Sequence, residues 1–309
     1  MLLRQGVTMP KSALPFTVVT VNYRSYDYVS QMLASLDIDV QCVVVDNFSD
    51  DAEREKITTL GSNSVSVVNN VNNGFAGGVN VGAAQVDAGR WILLVNPDVT
   101  FTPGAIENLL REAEGHELDL AVPQILNART QKIWFSGGRI RKSDFTAVHE
   151  RINCSPNEFS GIAKTEFISG CVVLISPKAR KLLFPLEEDL FMYYEDVLMS
   201  EAANRLGLRS AVVLSSTVLH DEGGTSRGER AGHSSLFFYY QARNRLLTAH
   251  KLSKWVWLRA IITTPYFLAR QGWRIFRDEE RVSRKMRSVA IGVWDGLIGR
   301  KGKSPRVFS

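Results

Sequence analysis

The sequence predicts an α/β fold built on a mainly parallel sheet. Short apolar runs typical of buried strands alternate with segments in which apolar residues recur at helical spacing. These runs cover residues 16–21, 42–45, 65–68, 91–95 and 172–175. Parallel strands need a crossover connection, which is usually a helix, so the alternation itself indicates parallel pairing. The composition is that of an ordinary globular protein, because 45% of the 309 residues are hydrophobic and 22% are charged.

The helices are predicted from periodicity and from residues that start or stop a helix. After the first strand, Val29, Met32 and Leu36 fall on one helical face. A segment rich in small residues, 77–88, follows the third strand. Thr102-Pro103 is expected to start the next helix, with proline at its first position. A later helix begins near residue 195 and is closed by Gly207.

Two regions depart from this alternation. Residues 123–165 are more polar and irregular, and we expect loops with a hairpin over the sheet there. A short strand is expected at 212–214. Beyond residue 234 the chain becomes aromatic and basic, and its apolar part, 255–267, is interrupted by Arg259 and Pro265. That part is too short and too charged to span a bilayer. The boundary divides the chain into a main domain, 1–234, and a C-terminal tail, 235–309.

The charge of the chain is unevenly distributed. Residues 1–240 hold 21 Lys and Arg against 28 Asp and Glu, a net of −7, whereas residues 241–309 hold 16 against 4, a net of +12. A basic tail of this kind is expected to contact an anionic partner, either nucleic acid or anionic lipid. The mixture of basic residues with Trp255, Trp257, Tyr266, Phe267, Trp273 and Phe276 favours helices that lie in a membrane interface. The alternative is a helical cap on the main domain.

The cysteines and the N-terminus carry little further signal. Cys42, Cys154 and Cys171 lie far apart, which suggests a reducing compartment and argues against a thiolate metal site. The first fifteen residues lack a long apolar region, so no secretory signal is expected.

Polar side chains follow the ends of several predicted strands, where open α/β sheets bind their ligands. Asp98 ends the Asn96-Pro97-Asp98 segment and could hold a divalent cation that carries phosphates. Asp46 could accept hydrogen bonds from a base or ribose, although Asp and Asn also favour plain turns. The Gly-rich segment 72–80 precedes a helix, whose first amides can hold phosphate. It fits neither a dinucleotide fingerprint nor a Walker loop.

Two further sites lie in the second half of the chain. Glu195-Asp196 follows an aromatic run and begins a helix, where acidic residues are common because of the helix dipole. The same dipole would keep a general base ionised. His220 follows a strand and precedes a glycine-containing loop. A single histidine is more often structural, but a neutral imidazole is a competent metal ligand.

In this order the motifs resemble those of the inverting glycosyltransferases of family 2, most closely the bacterial rhamnosyltransferase-like branch. The resemblance runs from about residue 16 to about residue 250. The matching segments are Val21-Asn22-Tyr23, Val45-Asp46-Asn47-x-Ser49, Asn73-Gly74-Phe75-Ala76-Gly77-Gly78-x-Asn80-x-Gly82, Asn96-Pro97-Asp98, Tyr194-Glu195-Asp196 and His220. Two positions depart from the family pattern. Asn96 replaces the first acid of the D-x-D motif, as is usual in this branch, and Leu198 stands where many relatives carry an acid.

The resemblance implies a GT-A nucleotide-binding fold and an inverting, metal-dependent transfer of a sugar. The aromatic and basic composition of the tail adds amphipathic C-terminal helices to this expected fold. It implies Asp196 as the catalytic base and Asp98 with His220 as ligands of Mg²⁺ or Mn²⁺. Trp134, Gly170, Tyr194 and Glu195 are expected on the acceptor side. The residues expected to line the donor site are Asn22, Tyr23, Asp46, Asn73, Gly74, Phe75, Asn80, Asn96 and Asp98.

By the same resemblance, the donor is a dTDP-, UDP- or GDP-linked sugar, with dTDP-rhamnose as the first expectation. The acceptor is a glycan or a polyprenyl-linked lipid used in cell-surface polysaccharide synthesis. The place of action is cytoplasmic, at an anionic membrane surface on the inner face of the bacterial cell membrane. Oligomeric state stays open, and a homo-oligomer is possible.

Two alternatives remain at this point. A sugar nucleotidyltransferase would carry a Gly-rich basic loop after the first strand, whereas Asn22-Tyr23-Arg24-Ser25 is not Gly-rich. A non-enzymatic nucleic-acid binder would rely on the basic tail. The acidic first 240 residues and the lack of a nucleic-acid module argue against it, so no nucleic-acid partner is expected.

Overall fold

The computed structural model describes residues 15–48, 50–221 and 233–306. The first part forms parallel strands with helices between them. Its elements are β1 (Phe16–Asn22), α1 (Tyr26–Ala34), β2 (Cys42–Asn47), α2 (Asp51–Thr58), β3 (Val65–Asn70), α3 (Gly74–Ala84) and β4 (Trp91–Val95). The strands lie in the order β4-β1-β2-β3, and each neighbouring pair is parallel. β1 and β2 are buried along their whole lengths, which explains their almost unbroken apolar sequence.

Strands of both directions extend the sheet on the other side of β4. The elements that follow are β5 (Val99–Phe101), α4 (Ala105–Gly115), β6 (Leu120–Asn127), β7 (Ile133–Phe135), β8 (Gly138–Arg141), β9 (Thr146–His149), β10 (Ile162–Lys164), β11 (Val172–Ile175), α5 (Pro177–Leu183), α6 (Glu195–Arg205) and β12 (Ser210–His220). The sheet continues in the order β4-β11-β6-β12-β10, with β5 against β12 and β7 against β6. β11 is antiparallel to both of its neighbours, while β6 and β12 are parallel. The predicted α/β fold is therefore confirmed, and its sheet is mixed.

The prediction of loops from residue 123 onward is wrong for β6. This strand carries Pro123 and Gln124 through the interior of the sheet, and both are buried. Proline has no amide hydrogen to give to a ladder. The register between β6 and β12 shifts immediately after the pairing of Pro123 with Val213, so the ladder is already interrupted where that hydrogen is missing. The expected hairpin is present as β8 and β9.

Three element boundaries also differ from the prediction. α3 begins at Gly74 instead of residue 77. α4 begins at Ala105, behind Gly104 in a left-handed conformation (φ 72°), so Pro103 lies in the preceding turn and not in the helix. The strand expected at 212–214 is the middle of the 11-residue β12.

Chain segments from several strands meet at one edge of the sheet. β1, β2 and β4 all end there because they are parallel. β11 starts there because it runs antiparallel to β4, with Val172 opposite Val95. β12 ends there because its last residue, His220, pairs with Val99 of β5. This edge collects most of the polar residues identified in the sequence.

Four helices complete the described chain: α7 (Ser235–Leu252), α8 (Lys254–Ile262), α9 (Thr264–Asp278) and α10 (Val282–Leu297). α7 is buried along most of its length, and α10 packs closely on it. Gly292 and Gly296 of α10 face α7 without room for a side chain, since an added Cβ would meet the carbonyl oxygens of Tyr239 and Arg243 at 2.3 and 2.9 Å. Within the described residues, no helix is long and apolar enough to cross a membrane.

Candidate functional site

Asp98 and His220 form a nearly buried pair at this edge. The Asp98 Oδ1 atom lies 3.4 Å from His220 Nε2. Burial opposes protonation of the imidazole, but the neighbouring Cys171 sulfur and Asp98 carboxylate outweigh it and raise the pKa of His220 above the usual range. The backbone of Cys171 also accepts the Asn96 N–H at 2.8 Å. The two predicted metal ligands are thus brought together beside the start of β11, and His220 would have to lose this proton before its imidazole could bind a cation.

The side chains around this pair suit a divalent cation that arrives with phosphate. Mg²⁺ is usually held by one or two protein carboxylates and completes its shell with phosphate and water, and carboxylate ligands also suit Mn²⁺. Asn96 Oδ1 is buried and has no hydrogen-bond partner within the described chain, so it is available to a ligand. A complete cage of three or more His, Cys, Asp or Glu side chains is not found among the described residues.

Trp134 packs against two imidazole rings, those of His220 and His149. Its ring packs edge-on against His220, with ring centroids 4.6 Å apart, and against His149 at 4.8 Å. His149 in turn stacks on Phe167, and its Nδ1 atom lies 3.1 Å from the Trp134 carbonyl oxygen. Trp134 is half-buried. An aromatic ring of this kind beside the Asp98–His220 pair is compatible with the expected place of an acceptor sugar.

Glu195 and Asp196 begin α6, where the helix dipole favours negative charge. Asp196 Oδ1 accepts the N–H of Val197 at 2.8 Å, and the N–H of Gly170 also donates to this carboxylate. A Cβ added at Gly170 would lie 3.5 Å from Asp196 Cβ and 4.0 Å from Phe75 Cε1. Gly170 therefore joins the acidic pair to the start of α3 and, through Cys171, to the Asp98–His220 pair.

Burial raises the pKa of both acids at the start of α6. For Glu195 the charge of Asp196 raises the pKa further. For Asp196 the backbone N–H bonds from Val197 and Gly170 lower the pKa again in part. These backbone donors favour the ionised form of Asp196, whereas the buried Glu195 Oε2 has no hydrogen-bond partner within the described chain. A negative Asp196 beside a protonated Glu195 is the charge state that a general base at this position needs.

Tyr193 lies near both Asp98 and the acidic pair. Burial raises the pKa of its hydroxyl to about 12, and the charges of Glu195 and Asp98 both contribute to the increase. The Tyr193 hydroxyl is therefore close enough to Asp98 and Glu195 for both charges to affect its pKa. Nothing in the local sequence distinguished Tyr193 from Tyr194. Tyr194 differs from its expected place on the acceptor side, because its side chain is buried and its hydroxyl donates to the Phe145 carbonyl.

The ends of β1 and β2 form a second polar cluster. Asn22 Nδ2 donates to Asp46 Oδ1 at 3.1 Å, and Arg54 Nε lies 3.4 Å from Asp46 Oδ2. Asn22 Oδ1 accepts two bonds from Ser25. Asn22 and Asp46 are fully buried, whereas the side chain of Arg54 is 34% exposed. Arg54, which sequence reasoning missed, is the charged group through which this cluster reaches the surface, and its guanidinium carbon lies 5.9 Å from the ring centroid of the exposed Phe48. Tyr23, which follows Asn22, is also exposed.

The Gly-rich segment links the two clusters. Asn47 Nδ2 donates to the Gly74 carbonyl at 2.9 Å, and the Phe75 N–H donates to the Phe191 carbonyl at 2.7 Å. Gly74 needs its left-handed φ of 85° and has no room for a side chain, since a Cβ would come within 1.9 Å of the Phe191 oxygen. Asn73 precedes the helix without capping it through its side chain. Gly74 and Phe75, both expected to line the donor site, therefore contact the segment that leads to Asp196.

Asn80 is placed differently from the other donor-side residues. Its amide accepts the Leu186 N–H at 2.7 Å and donates to the Leu186 carbonyl and to Glu188 Oε1. Both ends of the amide are therefore engaged by the segment after α5. Ser49 and the glycine-containing segment that follows Asp221 lie outside the described residues.

Known proteins of one family resemble this chain. The family model described as glycosyl transferase family 2 matches residues 17–179, more than half of the chain. The chain belongs to this family. It is thus a glycosyltransferase that uses a nucleotide-sugar donor. This assignment decides against a sugar nucleotidyltransferase and against a non-enzymatic nucleic-acid binder, the two alternatives that the sequence left open.

Two curated proteins illustrate the range of relatives. The chain is 25% identical over 246 residues to an N-acetylglucosaminyl-diphospho-decaprenol L-rhamnosyltransferase of Mycobacterium tuberculosis, covering 70% of this chain and 79% of the relative. It is 22% identical over 295 residues to a low-salt glycan biosynthesis hexosyltransferase, Agl10, of Haloferax volcanii, covering 94% of each. Both relatives are named as sugar transferases.

Two solved structures share the fold. The crystal structure of residues 1–349 of S. aureus TarS superposes with a TM-score of 0.51 at 14% identity, over 95% of this chain and 93% of that chain. GalNAc-T7, solved with UDP, GalNAc and Mn²⁺, gives a TM-score of 0.57 at 16% identity, over 67% of this chain and 43% of that chain. These likenesses confirm the GT-A fold.

Proposed function

We propose that this protein is an inverting glycosyltransferase that moves a sugar from a nucleotide donor to a hydroxyl of a glycan or a lipid-linked acceptor. The proposal rests on one observation. The Asp98–His220 pair and the Glu195–Asp196 pair both lie next to Tyr193 and residues 170–171. One pair is suited to a diphosphate and its cation, and the other pair supplies a base.

The proposed reaction is a single in-line displacement. Asp196 takes the proton of the acceptor hydroxyl while that oxygen forms a bond to the anomeric carbon of the sugar. The bond between this carbon and the diphosphate oxygen breaks, and its electron pair stays with the leaving nucleoside diphosphate. One attack from the face opposite the leaving group inverts the configuration. Burial and the charge of Asp196 raise the pKa of Glu195, which favours its neutral form and so keeps a second negative charge away from the base.

Asp98, His220 and Asn96 Oδ1 are the atoms proposed to hold the cation end of the donor. A bound divalent ion would offset the charge that gathers on the leaving diphosphate. The Asn22–Asp46–Arg54 cluster and Tyr23 are proposed to face the nucleoside, with Arg54 as the charged contact. Residues 73–75 lie between these two parts of the donor. Trp134, Gly170 and Glu195 are proposed to face the acceptor.

For the donor, dTDP-rhamnose is the first candidate, and UDP- and GDP-linked sugars are the others. The M. tuberculosis relative is named as a rhamnosyltransferase, which supports the first candidate. Structures of GalNAc-T7 and TarS have been solved with UDP, which supports a UDP-linked sugar as the donor. The sugar therefore has to be found by experiment.

A thermal-shift and calorimetric screen tests both the nucleotide and the metal site. The parent protein is titrated with dTDP, UDP and GDP, each with and without Mn²⁺. We expect one nucleotide to bind well only when Mn²⁺ is present, and Asp98→Ala to lose the Mn²⁺-dependent part. Identical titrations of parent and variant would contradict the role of Asp98.

A membrane-facing surface is proposed on α8 and α9. Exposed apolar side chains follow helical spacing along both helices and form the apolar stripe: Trp255, Leu258, Ile262, Tyr266, Trp273 and Phe276. Exposed Lys254, Arg259 and Arg277 lie on the same helices. Basic helices with exposed aromatic rings suit the boundary between anionic headgroups and acyl chains. Two of the aromatics expected there do not contribute, since Phe267 is buried and Trp257 packs on His250.

Flotation with anionic vesicles tests this surface. We expect the parent protein to float with phosphatidylglycerol vesicles and a Trp255→Ser/Trp273→Ser/Phe276→Ser variant to stay in solution. The control is Trp294→Ser, which removes an indole on α10, outside the stripe, whose exposed fraction of 60% is close to the 65% of Trp273. Equal flotation of parent and triple variant would refute the proposal. Binding of this kind would place the enzyme at the inner face of the cell membrane, next to a polyprenyl-linked acceptor.

A further inference from the structure

The turn that leads into the acidic pair has an unusual backbone. Phe191, Tyr193 and Tyr194 have φ values of 65°, 65° and 74°, in the left-handed region that large side chains rarely adopt. Such conformations cost free energy and persist only where the surroundings hold them. Glu195 and Asp196 follow directly, so the direction in which α6 starts depends on this turn.

Asn244 of α7 holds the turn from behind. Its Nδ2 atom lies 3.0 Å from the Leu190 carbonyl oxygen, 2.7 Å from that of Met192 and 2.9 Å from that of Tyr193. The side chain is fully buried. Two amide hydrogens therefore serve three carbonyl oxygens of one turn, and a buried carbonyl that loses its donor is costly.

Arg243 fixes the orientation of that amide. Its Nε donates to Asn244 Oδ1 at 2.9 Å, and its Nη2 donates to the Leu190 carbonyl at 2.7 Å. A guanidinium only donates hydrogen bonds, so the amide must turn its oxygen toward Arg243 and its NH₂ toward the turn. Nη1 of Arg243 donates to the Gly302 carbonyl, which anchors the guanidinium on the segment after α10.

The opposite side of the turn contacts the donor side of the site. Phe75 N–H donates to the Phe191 carbonyl, and Gly74 packs directly on the same carbonyl. The turn therefore lies between α3 and α7. A change at Asn244 would therefore shift Tyr193, Glu195 and Asp196 relative to the proposed donor-binding residues. Asn244 would have this effect without contacting the donor or the acceptor itself.

We infer that Asn244, oriented by Arg243, is a positioning residue of the transfer reaction. It keeps the 190–194 turn in the backbone conformation that directs Asp196 at the acceptor hydroxyl. The inference rests on the proposed function for its kinetic consequence. It also gives a role in the site to α7, which the sequence placed in a separate tail.

The test compares Asn244→Ala and Asn244→Asp with a matched control, Asn108→Ala. The Asp variant keeps the size of the side chain and the oxygen that Arg243 binds, but it loses both amide hydrogens. The control removes another asparagine-to-carbonyl bond, from Asn108 to Ser215, at an exposed position on α4. Turnover is measured with dTDP-rhamnose, or with the UDP or GDP sugar that the parent prefers.

In both Asn244 variants we expect kcat to fall by about 10²-fold, which is the order of loss that a 1 Å misplacement causes. Binding of the matching nucleoside diphosphate with Mn²⁺ should stay close to that of the parent. The acid limb of the pH profile should shift, because the surroundings of Asp196 change. A purely structural residue would instead lower kcat and binding together, with the pH profile unchanged.

Hydrogen–deuterium exchange provides a readout that needs no transfer activity. Amides in the peptide covering residues 190–197 should exchange faster in both Asn244 variants and at the parent rate in Asn108→Ala. Failure of the parent to use any nucleotide sugar would defeat the proposed function, and these exchange rates would still decide the role of Asn244. Unchanged exchange, parent-like kcat, or loss of folding in both variants would overturn the inference.

Discussion

Asp196 sits in surroundings that suit a base better than an ordinary surface aspartate. Burial raises its pKa, while two backbone N–H groups and the start of α6 favour its ionised form. Glu195 next to it keeps its proton to higher pH. Of these two adjacent carboxyls, Asp196 is therefore the one whose ionised form its surroundings stabilise better.

Replacing Asp196 by Asn should remove the base and little else, because the amide oxygen can still accept the Val197 N–H. General-base help is worth about 10²–10⁴ in rate, so kcat should fall by about that factor. Binding of the nucleoside diphosphate with Mn²⁺ should survive. Steady-state kinetics and calorimetry on the same preparation measure both effects, and near-normal turnover would remove Asp196 from the mechanism.

The pH dependence of kcat should show the raised pKa of Asp196. Only the ionised carboxylate can accept the proton, so kcat should fall as the pH drops through this pKa. The midpoint should lie above about 3.9, the value of an unperturbed aspartate. Circular dichroism at each pH distinguishes this limb from acid unfolding. A limb that stays at the ordinary value, or the same limb in Asp196→Asn, would contradict the assignment.

At the scale of elements, α7 belongs to the site as much as the strands do. It carries the buried Arg243 and Asn244 and packs against α10, whose glycines allow close approach. Sequence periodicity gave no hint of this role, because α7 is buried on nearly all sides and so lacks a polar face. β6 was missed for a different reason, because its Pro123 is typical of a loop. The shifted register between β6 and β12, which accommodates this proline, is not visible in the sequence.

Gly292→Ala should separate α10 from α7. The new Cβ would meet the Tyr239 carbonyl oxygen at 2.3 Å, and overpacking of this kind costs about 1–3 kcal/mol in the free energy of unfolding. Gly272→Ala on α9 is the matched control. Its Cβ finds only the Met286 side chain, at 3.5 Å, and alanine should add up to about 1 kcal/mol of helix stability. Urea unfolding measures both changes, and equal stability of the two variants would contradict this packing.

At the scale of the whole molecule, the alternation of strands and helices was enough to predict the α/β class. It was also enough to place Asp46, Asp98 and His220 at strand ends, because local apolar runs and their polar termini are visible in sequence. The antiparallel insertion of β11 between β4 and β6 was not predictable, since strand direction depends on long-range pairing. Cys171, Tyr193 and Asn244 were missed for the same reason, because each acquires its role through residues far away in the chain. Arg54 was missed although Asp46 is only eight residues away, because its contact depends on how α2 packs on β2.

Asp98 and Asp196 are proposed to serve one bound donor from the two sides of a single cleft. The most direct test is a crystal structure of the protein with Mn²⁺ and the nucleoside diphosphate selected by the binding screen, using anomalous scattering to locate the metal. We predict Mn²⁺ between Asp98, His220 and the diphosphate, with the terminal phosphate directed toward Asp196. A nucleotide bound elsewhere, or a diphosphate with Asp196 outside the same cleft, would contradict the account.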